Sequence, residues 1–421
     1  MGVVGCILGF LVVIYLCYKD WSVYIASIVG AAVVIAFNVL PFMDTLLDSY
    51  VNGMFVPIKS FFFLLLFGSI QSKIYSESGA AFSIADTIMS KLAVIVAIGI
   101  ILCMGGINAS VFIVLMYPVA LTIFEYCDIP KRFILGVLAA ASYTFTLTMP
   151  GSPQVTNVAA MTALGTAADV ALVPGLVGAA VEVVVIIVLM NIYINKARAK
   201  GEHFELHPLD PHYDKNTPRP NFWIALIPLV ALFVTFNILK ININICVIGS
   251  TVLSILLFWK QLKAKNLREL ITGAADSIHM SLTVAAICGF AGVVTNTEAF
   301  TTMLNAITGI NMSPMLICAV VVAVMCMLTG GSSTGQLISL PLIAPKLLDL
   351  GLNVNAIHRI ACFAATTLDS MPYSGAILML LPMCRMKLKE IYPPMFITTV
   401  IATTCGTIAV IVMCALFPGL C

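Results

Sequence analysis

Apolar segments long enough to cross a bilayer recur along the whole chain, separated by short polar stretches. A helix of ~20 apolar residues matches the ~30 Å hydrocarbon core. Two further apolar elements, at residues 92–125 and 314–345, have arms of only ~14–16 residues on each side of a Gly-Gly pair, or ~21–24 Å of helix. These arms are too short to span, so the pattern predicts two re-entrant hairpins. The predicted spans are residues 2–18, 21–40, 60–76, 131–168, 172–195, 222–239, 243–259, 277–294, 355–383 and 391–417.

The composition agrees with a chain that lies in lipid. It is 61% hydrophobic and 10% charged, with a formal net charge of +2. These values indicate an all-α polytopic membrane protein, surrounded by lipid, and give no sign of a nucleic-acid partner. The 13 cysteines are scattered singly and the histidines have no ligand spacing. We therefore expect no metal site and no cofactor beyond a coupling ion.

The predicted elements divide into two halves, residues 1–195 and 222–421. A polar segment at 196–221 joins them, and we expect it to be a solvated cytoplasmic linker loop. Each half contains five spans and one hairpin, and an odd number of spans turns the second copy upside down. Lysine and arginine flank the first hairpin, whereas residues 269–345 contain neither. The positive-inside rule then predicts two inverted repeats with both termini outside. The exceptions to the charge rule are Lys59, Lys240, Lys346 and Arg359.

Each half also carries an interrupted span, 131–168 at Pro150 and 355–383 at Pro372. Backbone leaves the helix at membrane depth only where it is buried in protein or lines a cavity, and paired interruptions indicate a transporter's binding site. The hairpin tips and breaks offer four helix N-termini, which attract carboxylates. The interrupted spans contain no lysine or arginine between 133 and 195 or between 360 and 384, so dipoles and hydroxyls must bind the anion. The alternative is that these polar residues only cap half-helices.

The candidate substrate-binding residues all lie at the hairpin tips or the breaks. They are Asn108, Ser110, Gly151, Ser152, Gln154, Thr156, Asn157, Ser332, Ser333, Thr334, Ser370, Tyr373 and Ser374.

Two acidic residues stand within predicted spans. Asp369 lies at the second break, and Glu182 lies near the middle of span 172–195. Ionisable groups at membrane depth are costly and commonly functional, so both are candidate proton carriers. The alternatives are a helix cap for Asp369 and a partner across a helix interface for Glu182.

The strings at the two breaks resemble a known family. The segment from His358-Arg359 to Leu368-Asp369-Ser370-Met371-Pro372-Tyr373-Ser374-Gly375 and the segment Pro150-Gly151-Ser152-Pro153 are similar to those of the gluconate permease family, in its hydroxybutyrate-permease-like branch. This family falls within the ion transporter superfamily. Tyr373-Ser374 stands where the branch typically shows His-Asn, which removes an imidazole from the proton path.

The resemblance implies secondary active uptake of small organic anions by an elevator mechanism in a homodimer of a prokaryotic inner membrane. Our interpretation is a proton-coupled symporter of a short-chain mono- or hydroxycarboxylate such as hydroxybutyrate. The alternatives are a sodium-coupled carboxylate symporter of the same fold and, more remotely, a membrane enzyme or an assembly subunit. No nucleophile–base pair or phosphate loop favours an enzyme.

Overall fold

The chain folds into helices that pack side by side, and the described residues contain no strand. The coordinates are those of a computed structural model. It describes residues 1–19, 21–80, 83, 109–152, 154–207, 210, 219–235, 239, 241–263, 266–275, 279–308, 312–378 and 380–421.

The first half contains seven longer helices within these residues. Short helical turns at Phe42–Thr45 and Leu46–Val51 lead into the third helix, and a turn at Lys131–Phe133 leads into the fifth. The helices are α1 (Gly2–Tyr18), α2 (Val23–Asn38), α3 (Asn52–Glu77), α4 (Ala109–Tyr126), α5 (Ile134–Ser142), α6 (Val155–Leu164) and α7 (Leu172–Ala199).

The described part of the second half continues this series. Its helices are α8 (Phe222–Phe233), α9 (Ile243–Leu257), α10 (Leu267–Ala275), α11 (His279–Thr295), α12 (Glu298–Thr308), α13 (Pro314–Thr329), α14 (Ser332–Asp349), α15 (Val354–Ala365), α16 (Leu388–Phe396) and α17 (Ala402–Leu416). A π-helical turn at Ile397–Ile401 joins α16 to α17, so the two form one continuous helical rod.

Local signals define the helical hairpin made by α13 and α14. The Ser313 hydroxyl accepts the N–H of Leu316 at 3.4 Å and so caps the start of α13. At the tip, Gly330 adopts a left-handed φ of +63°, which ends α13. A Cβ on Gly335 would lie 2.5 Å from the backbone N of Cys326. The two arms are therefore in direct backbone contact at this point.

Helices that contain the third and fifth predicted spans of each half pack on each other. Thus α3 packs against α11, and α7 packs against α17. Moreover, α2 packs against α11 as α9 packs against α3. The α3 and α11 segments approach each other closely at Gly53, whose added Cβ would lie 2.6 Å from the carbonyl oxygen of Cys288. Small residues permit such contacts between helices in lipid.

Among the described residues, two helices are long and apolar enough to cross a bilayer, judged by length and composition. They are Leu172–Ala199 and Leu388–Leu416. The shorter apolar helices, of 10–17 residues, include Gly2–Cys17, Val23–Asn38 and Pro314–Thr329. The third span was predicted at 60–76, but α3 begins at Asn52. The hairpin predicted to end at 345 continues as α14 to Asp349.

Candidate functional site

The first break is a turn of non-helical backbone between the short helix Phe145–Thr148 and α6. Gly151 adopts a left-handed φ of +76° and donates its N–H to the carbonyl of Ala168 at 2.9 Å. The buried hydroxyls of Ser152 and Thr156 donate to carbonyls of the short helix. These bonds replace the helical ones that the break removes, as burial of backbone requires.

Asn157 is the side chain that fixes this break most completely. Its amide nitrogen donates to the carbonyls of Leu147 at 3.3 Å and Met149 at 3.0 Å. Its Oδ1 accepts from Arg359 at 3.0 Å and from His358 at 3.2 Å. All of its hydrogen-bonding capacity is therefore used by the protein in this structure.

Arg359 reaches the first break from α15, in the other half of the chain. Its side chain is fully buried, and its N–H groups donate five hydrogen bonds, which is the full capacity of a guanidinium. The acceptors are Val170 O (3.2 Å from Nε and 2.8 Å from Nη2), Thr148 O (2.7 Å), Asn157 Oδ1 (3.0 Å) and Ala168 O (2.8 Å). Among the described residues Arg359 forms no ion pair. Its charge is thus solvated by carbonyl dipoles and is not neutralised.

The neighbouring His358 joins the same cluster. Since Oδ1 of Asn157 accepts, His358 Nε2 donates to it, and Nδ1 then accepts the hydroxyl of Thr166 at 2.6 Å. The start of α7 closes over this region at Gly175, whose added Cβ would lie 2.4 Å from Pro150 Cγ and 2.9 Å from Arg359 Cδ. Only glycine leaves room for this packing.

The second break contacts the tip of the α13–α14 hairpin. Tyr373 donates its hydroxyl to the carbonyl of Met327 at 2.7 Å, and Ser374 donates to the carbonyl of Gly330 at 3.3 Å. Both side chains are buried. These two predicted site residues therefore attach the break to the hairpin.

Asp369 lies in this second break and is largely buried. Ser370 Oγ donates to its Oδ1 at 2.9 Å, and the hydroxyl of Ser332 at the hairpin tip also hydrogen-bonds it. Ser333 and Thr334, also predicted for the site, follow at the tip and are half-buried. The structure thus brings an acidic group, hydroxyls and the N-terminus of α14 together.

A chain of contacts connects the two breaks through Gln336 and Cys362. Gln336, in the first turns of α14, is fully buried and its Nε2 lies 3.9 Å from Cys362 Sγ. That sulfur lies 3.7 Å from Thr156 O and 3.6 Å from Asn157 Oδ1, at the first turn of α6. Gln154, the residue that precedes α6, is buried as well. Sequence reasoning missed this connection.

Glu182 lies apart from both breaks, where α7 packs against α17. It is fully buried, and neither carboxylate oxygen has a hydrogen-bond partner among the described residues. A Cβ on Gly406 of α17 would lie 2.5 Å from Glu182 Cγ. The partner across the helix interface that the sequence left open is therefore a glycine and not a polar group.

Three expectations about the site need correction. The interruption at Pro372 is wider than predicted, because α15 ends at Ala365. The helix that follows the break, Gly375–Leu378, has only four residues and supplies no strong dipole, so not all four helix ends contribute. A buried cation is present after all, since Arg359 enters the first break. From the sequence, Arg359 was placed only among the exceptions to the charge rule.

Part of the predicted site falls outside the described residues. Asn108 lies there, with the first arm and tip of the hairpin predicted at 92–125. Ser110 belongs to α4, the second arm, but its side chain is not among those described.

The linker was predicted to be a solvated loop, and its described part is instead docked. Asp210 forms a buried ion pair with Lys131, which precedes α5. Glu202 accepts from Arg132 at 2.7 Å and 3.0 Å, in a bidentate arrangement. These pairs hold the linker against the loop between α4 and α5.

The same loop contributes Asp128. The N–H of Phe204 lies 2.9 Å from its Oδ1, and His203 Nδ1 lies 2.7 Å from its Oδ2. The Phe204 N–H first, and then the His203 imidazole, hold the pKa of Asp128 below its ordinary value.

Comparison with known proteins assigns this arrangement to a family. A sequence model described as GntP family permease matches residues 1–416, nearly the whole chain. The chain belongs to the GntP permease family. This permease is similar to the uncharacterized transporter YxjC of Bacillus subtilis (strain 168), with 25% identity over an aligned length of 420 residues. The alignment covers 87% of this chain and 88% of the relative.

Among solved structures, this permease is similar to the Alcanivorax borkumensis YdaH transporter. The TM-score is 0.47 with 13% identity, covering 90% of this chain and 89% of the other. Family membership makes the chain a multi-pass membrane transporter. The resemblance to the gluconate permease family, drawn from the strings at the two breaks, is thereby confirmed.

Proposed function

We propose that this permease is a proton-coupled symporter of small organic anions, specifically short-chain mono- or hydroxycarboxylates. The observation that carries the proposal is the pairing of two buried breaks of opposite charge. The first holds the uncompensated guanidinium of Arg359, and the second holds the carboxyl of Asp369. A positive break suits an anionic substrate, and a negative break suits a proton or a cation.

The anion is assigned to the first break. The positive charge of Arg359 lies near the N-terminus of α6, so the guanidinium and the helix dipole both attract a carboxylate there. Ser152, Gln154 and Thr156 supply polar groups there. Gly151 is exposed and allows close approach to the backbone.

The coupling proton is assigned to Asp369, with Glu182 as a second carrier. Both are acids buried within the helices, where a charged carboxylate is costly. When an anion and a proton are bound together, the net charge that crosses the membrane with them is small. Sodium is the second candidate, because the Asp369 carboxylate and the Ser332 and Ser370 hydroxyls offer oxygen ligands around one point.

Alternating access is proposed to follow an elevator mechanism. The α13–α14 hairpin packs on α6 and α15, whereas α3 packs mainly on α11, which in turn contacts α13. The reciprocal packing of corresponding helices supports two inverted repeats, residues 1–195 and 222–421. We extend the proposal to hairpins that are re-entrant, termini outside, a homodimer and a prokaryotic inner membrane, from the charge pattern and the resemblance.

The test is uptake of labelled 3-hydroxybutyrate into proteoliposomes that contain the purified permease. An inward proton gradient should drive accumulation, and Asp369→Asn should abolish it while leaving exchange of labelled for unlabelled substrate. A sodium gradient at equal pH on both sides tests the second candidate. If neither gradient drives more uptake than is seen in empty liposomes, symport of this acid is overturned.

A further inference from the structure

Gln336 carries a buried acceptor that the protein leaves unused. Its side chain is fully buried within the first turns of α14, and Oε1 has no hydrogen-bond partner among the described residues. Leaving a buried polar group unpaired is destabilising. Such a group at a ligand site indicates a partner that arrives with the ligand.

The orientation of the Gln336 amide follows from its neighbour Cys362. Two oxygens, Thr156 O and Asn157 Oδ1, lie 3.7 Å and 3.6 Å from the sulfur. The single S–H donates toward those oxygens, so the sulfur accepts from Gln336 Nε2 at 3.9 Å. Oε1 is therefore the free end, and it requires a donor.

Gln336 is connected through Cys362 to Thr156 O in the first turn of α6, where the first break is positive. Arg359 is buried there and forms no ion pair with any described residue; the exposed carboxyl of Asp169 interacts with it electrostatically. His358 is bonded through both ring nitrogens and adds no free donor. An anion at this helix end and a hydrogen-bond donor at Gln336 satisfy both requirements.

We propose that Gln336 determines substrate specificity by accepting a hydrogen bond from a hydroxyl of the anion whose carboxylate lies at the N-terminus of α6. The proposal rests on the proposed function and decides between its two substrate classes in favour of hydroxycarboxylates. A site built to pair with a substrate hydroxyl rejects the analogue that lacks it, because its own polar group is then left unpaired.

The experiment compares 3-hydroxybutyrate with butyrate, which differ by that hydroxyl alone. Apparent dissociation constants are measured by ligand-dependent thermal stabilisation of the purified full-length permease. Wild type should bind 3-hydroxybutyrate at least about tenfold more tightly than butyrate. Gln336→Met, which keeps the length of the side chain and removes the acceptor, should bring this ratio to about one by weakening only the hydroxylated acid.

Ser339→Ala is the matched control. Ser339 is equally buried in α14, and its hydroxyl donates to Gly335 O at 2.7 Å, so its loss should leave the ratio unchanged. If Gln336→Met does not fold, Gln336→Leu serves in its place.

The outcomes separate the two proposals. A ratio near one in wild type, a ratio that the Gln336 variants preserve, or an equal loss of both acids would overturn the role of Gln336 and leave carboxylate transport standing. A variant that loses sodium dependence and keeps the ratio would also overturn it. Binding of neither acid by wild type would contradict the proposed substrates themselves.

Discussion

Arg359 Nη1 donates a 3.0 Å hydrogen bond to Asn157 Oδ1, and these residues are 202 positions apart in the chain. The bond joins the interrupted helix of one half to that of the other. Since Cys362, one turn further along α15, lies near Asn157 as well, the contact extends along α15. The first break is therefore bonded directly to the half-helix that leads into the second.

Replacing Arg359 by lysine should destabilise the permease. A lysine keeps the charge but has three donors on one nitrogen, so at least two of the five hydrogen bonds are lost and at least one of the four acceptors loses its partner, at ~1–3 kcal/mol. The measurement is the thermal unfolding midpoint of the purified protein in detergent. Arg132→Lys is the matched control, because Arg132 lies at the partly exposed linker contact, and its change should be small. Equal midpoint shifts for the two variants would contradict this account.

The case of Arg359 shows where sequence reasoning ends. The hairpin tip was predictable because Ser313 and Gly330 are local signals for the ends of α13. Arg359 gave no such signal: a charge near the end of a predicted span is typical of a loop. Its four acceptors lie 189 to 211 positions away, and only tertiary packing brings them together.

The second break and the linker illustrate the same limit. Pro372 marked the break, but α15 ends seven residues earlier because tertiary contacts with the hairpin tip, such as that of Tyr373, replace helical bonds. The polar composition of the linker indicated a solvated loop, whereas Asp210 is buried by its pairing with Lys131. A polar composition indicates that burying the segment would be costly, but it does not show whether an oppositely charged partner offsets that cost.

Gly406 and Glu182 should behave as a sterically coupled pair. Gly406→Ala places a methyl group 2.5 Å from Glu182 Cγ and should cost ~1–3 kcal/mol through overpacking. In a Glu182→Ala background that contact is gone, so the same substitution should cost about zero. A double-mutant cycle of unfolding midpoints measures the difference. Additive effects would show that Glu182 does not occupy the space in front of Gly406.

Gly335 should be essential for the close packing of the α13–α14 hairpin. An added Cβ would lie 2.5 Å from the backbone N of Cys326, and backbone atoms cannot move aside as a flexible side chain can. We expect Gly335→Ala to destabilise the protein by ~1–3 kcal/mol and to reduce uptake. In contrast, Gly249→Ala in α9 meets nothing within 4 Å and should be neutral or stabilising by ~0.5–1 kcal/mol. A harmless Gly335→Ala would mean that the arms are not in backbone contact.

The contact of Asp128 with the linker should weaken in acid. The folded-state pKa of Asp128 is lowered, chiefly by the Phe204 N–H, so its contribution is present at neutral pH. It is lost as pH falls through that lowered pKa, because the protonated acid no longer attracts these donors. Hydrogen exchange of residues 202–207 should therefore gain protection as pH rises through this range, after correction for intrinsic rates. In Asp128→Asn this added protection should be absent, and a persistent pH response there would assign the effect to another group.

The Lys131–Asp210 pair should contribute far more to stability than a surface pair, because its two side chains are only 6% and 1% exposed. Removing one partner leaves a buried charge unpaired, at a cost of ~3–5 kcal/mol, so Lys131→Met should lower the unfolding midpoint strongly. Lys73→Met is the control: the 3.1 Å pair of Lys73 with Glu77 is 49% and 29% exposed, and its loss should cost ~0.3–0.5 kcal/mol.

The double variant Lys131→Met/Asp210→Leu removes both charges and should recover much of the lost stability, since no buried charge then lacks a partner. If Lys131→Met costs no more than Lys73→Met, the linker is not held by this pair. Its docking would then depend on the bidentate contact of Arg132 with Glu202.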